Sequence, residues 1–144
     1  MTSFRLLTST FAMSLAMVPA WAQSAPAAAS APALSLELNT AQPSEKGCRL
    51  TFVVNNALGA DLSKAAFEIA LFNEAGVVDR LTVLDFKDLP AGKTKVTRFD
   101  LAGADCGKLS RVLINSATEC AGVEPAACMR ALKTSTRTAI AFGV

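Results

Sequence analysis

From Leu34 onward the apolar residues recur at every second position in short runs, and a chain with that period can bury them only as strands. Leu34, Leu36 and Leu38 alternate with Ser35 and Glu37. Leu50, Phe52 and Val54 share one face of CRLTFVVNN, and Phe67, Ile69 and Leu71 share one face of AAFEIALFN. VVDRLTVLDF, KVTRFDL, SRVLINS and KTSTRTAIAF continue the pattern. About seven such runs in a domain of about 110 residues predict an all-β, two-sheet sandwich of antiparallel strands, immunoglobulin-like or fibronectin-III-like in layout. The Trp and the corner Tyr that mark true immunoglobulin domains are missing from their strands.

The turns divide the runs. Asn73–Gly76 and Pro90–Gly92 read as tight hairpins, with Gly placed where a positive φ is needed. The longer stretch from Asn55 to Ser63 reads as a crossover between sheets, and Pro125 as the opening of one short helical turn over 125–131. Phe52, Phe67 and Phe99 share phase with core neighbours, whereas Phe72 and Phe86 lie out of phase and are expected at the surface.

Ahead of the domain, residues 1–22 read as an export signal: Arg5, an apolar run from Leu6 to Ala20, then Ala20-Trp21-Ala22 as a small-x-small cleavage site before Gln23. The apolar run, about 15 residues, is shorter than the ~20 that cross a bilayer as a helix, so no membrane span is expected after cleavage. There is no twin arginine and no Cys directly after the cleavage site, so neither a twin-arginine route nor a lipid anchor is expected. Residues 23–33, rich in Pro, Ala and Ser, read as a tether, leaving 34–144 as the domain. Periplasmic or secreted localisation follows. Loss of Arg5 lowers the formal charge by one from the +2 of the full chain, a balance that gives no reason to expect a nucleic-acid partner.

Four cysteines in a short exported chain favour disulfides. Cys48 opens the second strand and Cys106 precedes the sixth. In an immunoglobulin-like sandwich those strands run the same way on opposite sheets, so their starts meet. Cys48–Cys106 is therefore expected to tie the sheets, and Cys120–Cys128 to close the loop between the last two strands. A ring of about 58 residues contributes roughly 4 kcal/mol in the loop-entropy model, and the smaller ring about 2.5 kcal/mol. The spacing does not suit zinc, and no His is present to complete a mixed site. A thiol–disulfide function for Cys120 and Cys128 is the alternative, although they lack the Cys-x-x-Cys spacing of redox centres.

Little else in the sequence suggests catalysis. With no His, general bases are limited to Asp, Glu and Lys, and Ser110, Ser116 and Ser135 lack a nucleophile elbow. Asp85 with Asp88, and Asp100 with Asp105, are the closest carboxylate pairs. They sit where solvated turn residues are ordinary, so a carboxylate hydrolase ranks last. Lys87, Lys93, Lys95 and Arg98 interleave with acidic residues and read as a mixed solvated surface. No catalytic residue, metal or cofactor is expected, and no Gly-rich phosphate loop or calcium loop is found. The last run offers a candidate partner edge: Lys133, Ser135 and Arg137 share a face there, and its backbone is placed to accept a strand from a protein or envelope component. The same charges also guard an edge against unwanted strand addition.

The stretch from FNEAGVV through DLPAGKT to the Cys106 and Cys120 contexts resembles an uncharacterised family of small exported, signal-bearing Ig-like β-sandwich proteins of Gram-negative bacteria. More distantly the layout is similar to fibronectin-III-like and pilus-chaperone-type modules. The resemblance implies periplasmic export and a β-sandwich, and it supplies no site residues. The function expected is a non-enzymatic interaction module.

Overall fold

The computed structural model describes residues 30–144. The expected signal (1–22), the Gln23 start and most of the tether (23–33) lie outside the described residues. The chain folds as β1 (Ala33–Ser44), β2 (Gly47–Ala57), β3 (Leu62–Asn73), β4 (Val78–Leu89), β5 (Thr94–Ala102), β6 (Leu109–Ala121), α1 (Ala127–Arg130), β7 (Leu132–Thr136) and β8 (Ala141–Gly143), with a 3-10 turn at Cys106–Lys108 before β6. Sheet A has the order β5-β2-β1-β7 and sheet B the order β4-β3-β6-β8. The protein is an all-β two-sheet sandwich.

The alternation read from the sequence sets the inner faces. Leu34, Leu36 and Leu38 of β1 and Leu50, Phe52 and Val54 of β2 are buried against Phe67, Ile69 and Leu71 of β3 and Val112 and Ile114 of β6. Burial of each such side chain stabilises the fold by roughly 1.5–3 kcal/mol before conformational entropy is charged against it. Edge-to-face aromatic contacts fill the middle: Phe86 lies 5.6 Å from Phe52, 5.9 Å from Phe67 and 5.0 Å from Phe99.

Four expectations need correction. Phe86 is buried at the centre of this cluster, not exposed. Strand β4 carries apolar residues on both faces, and Leu84 and Phe86 point inward while Leu81 and Val83 point outward. The Pro90–Gly92 turn is a crossover from sheet B to sheet A, because β4 pairs with β3 and β5 with β2. The last run is two short strands rather than one: β7 runs parallel to β1, the chain bends over Arg137–Ile140, and β8 returns parallel to β6. The sandwich thus has eight strands, with two parallel pairings among antiparallel ones.

Close packing fixes the ends of the sandwich. A Cβ on Gly122 (φ +122) would lie 2.1 Å from the Asp61 carbonyl oxygen, so glycine alone lets the end of β6 meet the β2–β3 loop. The same loop is held by Asn56, which is buried with every polar atom of its side chain matched. Its amide donates to the carbonyls of Ala60 (2.9 Å) and Leu89 (2.7 Å), and its oxygen accepts from the Leu58 N–H (3.0 Å).

Candidate functional site

The cysteines pair at both ends of β6. Cys48 joins Cys106 with Cα atoms 5.0 Å apart, tying sheet A to the start of β6, and Cys120 joins Cys128 at 6.1 Å, tying its end to α1. Cys48 and Cys128 are fully buried. Each bridge therefore pins an element end against the core. Two disulfides are compatible with an extracytoplasmic protein. No helix among the described residues is long and apolar enough to cross a membrane.

The acidic residues singled out in the sequence are each engaged by a neighbour. Asp85 accepts from the Lys87 side chain (2.6 Å) and backbone N–H (2.9 Å), Asp88 from Lys95 (3.1 Å), and Asp100 from Arg49 Nε and Nη2. Those hydrogen bonds, first of all from Lys87, Lys95 and Arg49 respectively, hold the three carboxyls below the usual carboxylate range. Asp105 caps the 3-10 turn by accepting from the Gly107 N–H at 2.9 Å. Ser110 donates to the Phe72 and Asn73 carbonyls. Among the described residues no group of three His, Cys, Asp or Glu side chains is placed to hold a metal ion.

Strand β7 does lie at the edge of sheet A, with Lys133 opposite Ser35 and Ser135 opposite Glu37. Arg137 lies just past the strand end, where its Nε donates to Glu37 at 2.9 Å. At these three residues the backbone is turned inward. Ala131 accepts from the Leu34 N–H and the Arg137 N–H donates to Leu38, so by alternation Lys133 and Ser135 turn their backbone groups to β1. The outward groups are those of Leu132, Thr134 and Thr136, over a strand of five residues. Thr138 turns the chain beyond the strand by accepting from the Ile140 N–H at 3.1 Å.

A different surface stands out. Six large apolar residues are exposed among the described residues, and four of them, Val77 (59%), Val78 (49%), Leu81 (56%) and Val83 (52%), lie on or at the start of β4. The pairing registers place Leu81, Val83 and Val78 on the outer face of sheet B. Leu81 stands beside Ala70, then Leu113, then Gly143, so one apolar row crosses all four strands. Above it, Val78 neighbours Phe72 and Arg111, whose guanidinium lies 5.6 Å from the Phe72 ring centre. Below it, Val83 neighbours Glu68, which accepts from Asn115 at 2.6 Å. The signal for this face was present in VVDRLTVLDF, where Leu81 and Val83 share one parity while Leu84 and Phe86 share the other.

The open side of the sandwich beside β4 is guarded. Lys95 of β5 reaches across to donate to the Asp88 carbonyl (2.7 Å) and the Phe86 carbonyl (3.5 Å), and Arg80 of β4 donates to the Ala102 carbonyl of β5 (2.7 Å). Lys87, at φ 62, adds a bulge to the same edge. Such occupied carbonyls and bulges discourage addition of a further strand.

No protein-family model matches the chain, and no curated protein matches it. Among solved structures it is similar to the Salmonella enterica trimeric lipoprotein SadB, at 18% identity and a TM-score of 0.42. The match covers 49% of this chain and 40% of that one.

Proposed function

We propose that this chain is a non-enzymatic, periplasmic or secreted interaction module, with an immunoglobulin-like sandwich as a rigid platform. It binds a protein or another envelope component through the outer face of sheet B. The observation that carries the reading is the apolar row from Leu81 to Gly143 with Val78, Phe72 and Val83 beside it: Leu81, Val78 and Val83 are exposed, Phe72, Leu113 and Gly143 half-buried and Ala70 buried, which is the chemistry of a contact surface. The strand order, with β5-β2-β1 in one sheet and β4-β3-β6 in the other, supports the immunoglobulin-like layout. The two cystines and the resemblance to small exported proteins support export.

The β7 edge is the weaker candidate for the contact, because the strand has five residues and Arg137 beyond it is hydrogen-bonded to Glu37 of the same sheet. The test compares Leu81→Lys with Val96→Lys, an equally exposed apolar residue on β5. Capture of partners from periplasmic extract by the parent and by Val96→Lys, but not by Leu81→Lys, is the expected outcome. Equal capture by all three would reject the sheet B face.

A further inference from the structure

We propose that the partner of the sheet B face is a second copy of this chain, the two copies packing face to face about a two-fold axis. The inference rests on the interaction-module reading and goes beyond it by naming the occupant.

Three observations lead there. The first is composition: the central row of Leu81, Ala70, Leu113 and Gly143 carries no polar side chain on any of the four strands, so it forms an uncharged apolar middle for a contact. The second is charge. Glu68 and Arg111 flank this row on adjacent strands, one on each side, and neither has an ion-pair partner among the described residues. Asn115 occupies one oxygen of Glu68, and Arg111 is stacked on Phe72 with its in-plane N–H donors free of that contact.

A two-fold axis lying in the interface along the central row exchanges the side above with the side below. It sets Arg111 of each copy over the end of the face that holds the other copy's Glu68, so the surface is complementary to itself. The third observation is direction. Lys95 and the Lys87 bulge obstruct edge-to-edge pairing at β4, so the exposed apolar residues of that strand are offered through its face rather than its edge. Four strands about 4.8 Å apart and three rows about 7 Å apart give a contact of only a few hundred Å² per copy. That lies at the small end for specific complexes, so the dimer should be concentration-dependent rather than obligate.

The experiment is sedimentation equilibrium of the exported chain, both disulfides formed, from low micromolar to near-millimolar concentration. The parent should pass from monomer to dimer, and Val96→Lys should follow it. Glu68→Arg and Arg111→Glu, each alone, bring like charges together and should weaken association about tenfold or more. Mixed in equal amounts they restore both Glu–Arg pairs and should recover the dimer. Thermal melts of each variant separate lost association from lost folding. A parent that stays monomeric at the highest concentration, or folded variants whose mixture does not recover the dimer, would overturn the proposal. A monomeric parent that still captures another protein through Leu81 would refute self-association while leaving the interaction-module reading standing.

Discussion

Sheets A and B each contribute four strands and an apolar inner face, yet their outer surfaces differ in kind. On sheet A the cross-strand pairs facing solvent are Arg49 with Asp100, Thr51 with Arg98, Asn55 with Thr94 and Ser35 with Lys133. Val53 with Val96 is the apolar pair among them. On sheet B the equivalent positions hold Leu81 with Ala70 and Leu113, and Val78 with Phe72. Burial of the inner faces accounts for the fold of both sheets alike. It gives no reason for a leucine and three valines to stand half in water on or beside one strand, and the proposed contact on sheet B rests on that unexplained apolar surface.

Strand β4 offers the sharpest way to break the comparison, because its two faces should respond oppositely. Phe86→Ala empties the middle of the aromatic cluster and should cost about 3–5 kcal/mol in chemical denaturation. Leu81→Lys, on the outer face, should leave stability within about 0.5 kcal/mol of the parent while abolishing association. A large loss of stability from Leu81→Lys would make its row structural and remove the distinction.

The tie between the sheets comes next in size. Replacing both Cys48 and Cys106 by Ala should cost about 4 kcal/mol, and replacing Cys120 and Cys128 about 2.5 kcal/mol, measured by denaturant unfolding. Equal losses would mean that ring size does not govern the two bridges. Smaller again is the contrast at the edge of sheet A. Ser135→Pro removes a backbone donor to β1 and should destabilise by about 1 kcal/mol or more, whereas Thr134→Pro loses only an outward N–H and should do less harm. If the order is reversed, the orientation assigned to β7 is wrong.

The smallest expected effect is with pH. Hydrogen bonds from Lys87, Lys95 and Arg49 lower the Asp85, Asp88 and Asp100 carboxyls from their ordinary value of 3.8, and the bond from Asn39, with help from Arg137, lowers Glu37 from 4.5. A depressed folded-state value adds stability that is complete above the unfolded value and is lost as pH falls through the folded one. The melting temperature should therefore decline below about pH 4.5 and stay level from about pH 6 to about pH 9, there being no His to titrate.

How much of this was legible in the sequence depended on whether a run had one apolar face or two. Strands β1 and β2 could be read because Leu36 and Phe52 belong to apolar parities whose alternate positions include Ser35, Glu37, Arg49 and Thr51, and β3 because its bulky Phe67, Ile69 and Leu71 share one parity while Glu68 and the small Ala70 take the other. Strand β4 could not be phased, since Leu81 and Val83 compete with Leu84 and Phe86, and the face now argued to bind was hidden by the same ambiguity. Turn chemistry at Pro90–Gly92 announced a reversal but not which sheet the next strand would join. In KTSTRTAIAF no Gly or Pro marks the bend at Arg137–Ile140, and a Thr-rich run has no phase to lose. The cysteine pairing was legible because it follows from topology once the sandwich is assumed.

The most direct test is a dilution series of the isotopically labelled chain, both disulfides formed, followed residue by residue by backbone amide NMR. Concentration-dependent shifts confined to the Ala70, Leu81, Val83 and Leu113 region, with Val53, Val96 and Ser135 unmoved, are the result predicted. Shifts centred on sheet A, or none anywhere up to near-millimolar concentration, would contradict a self-associating face on sheet B.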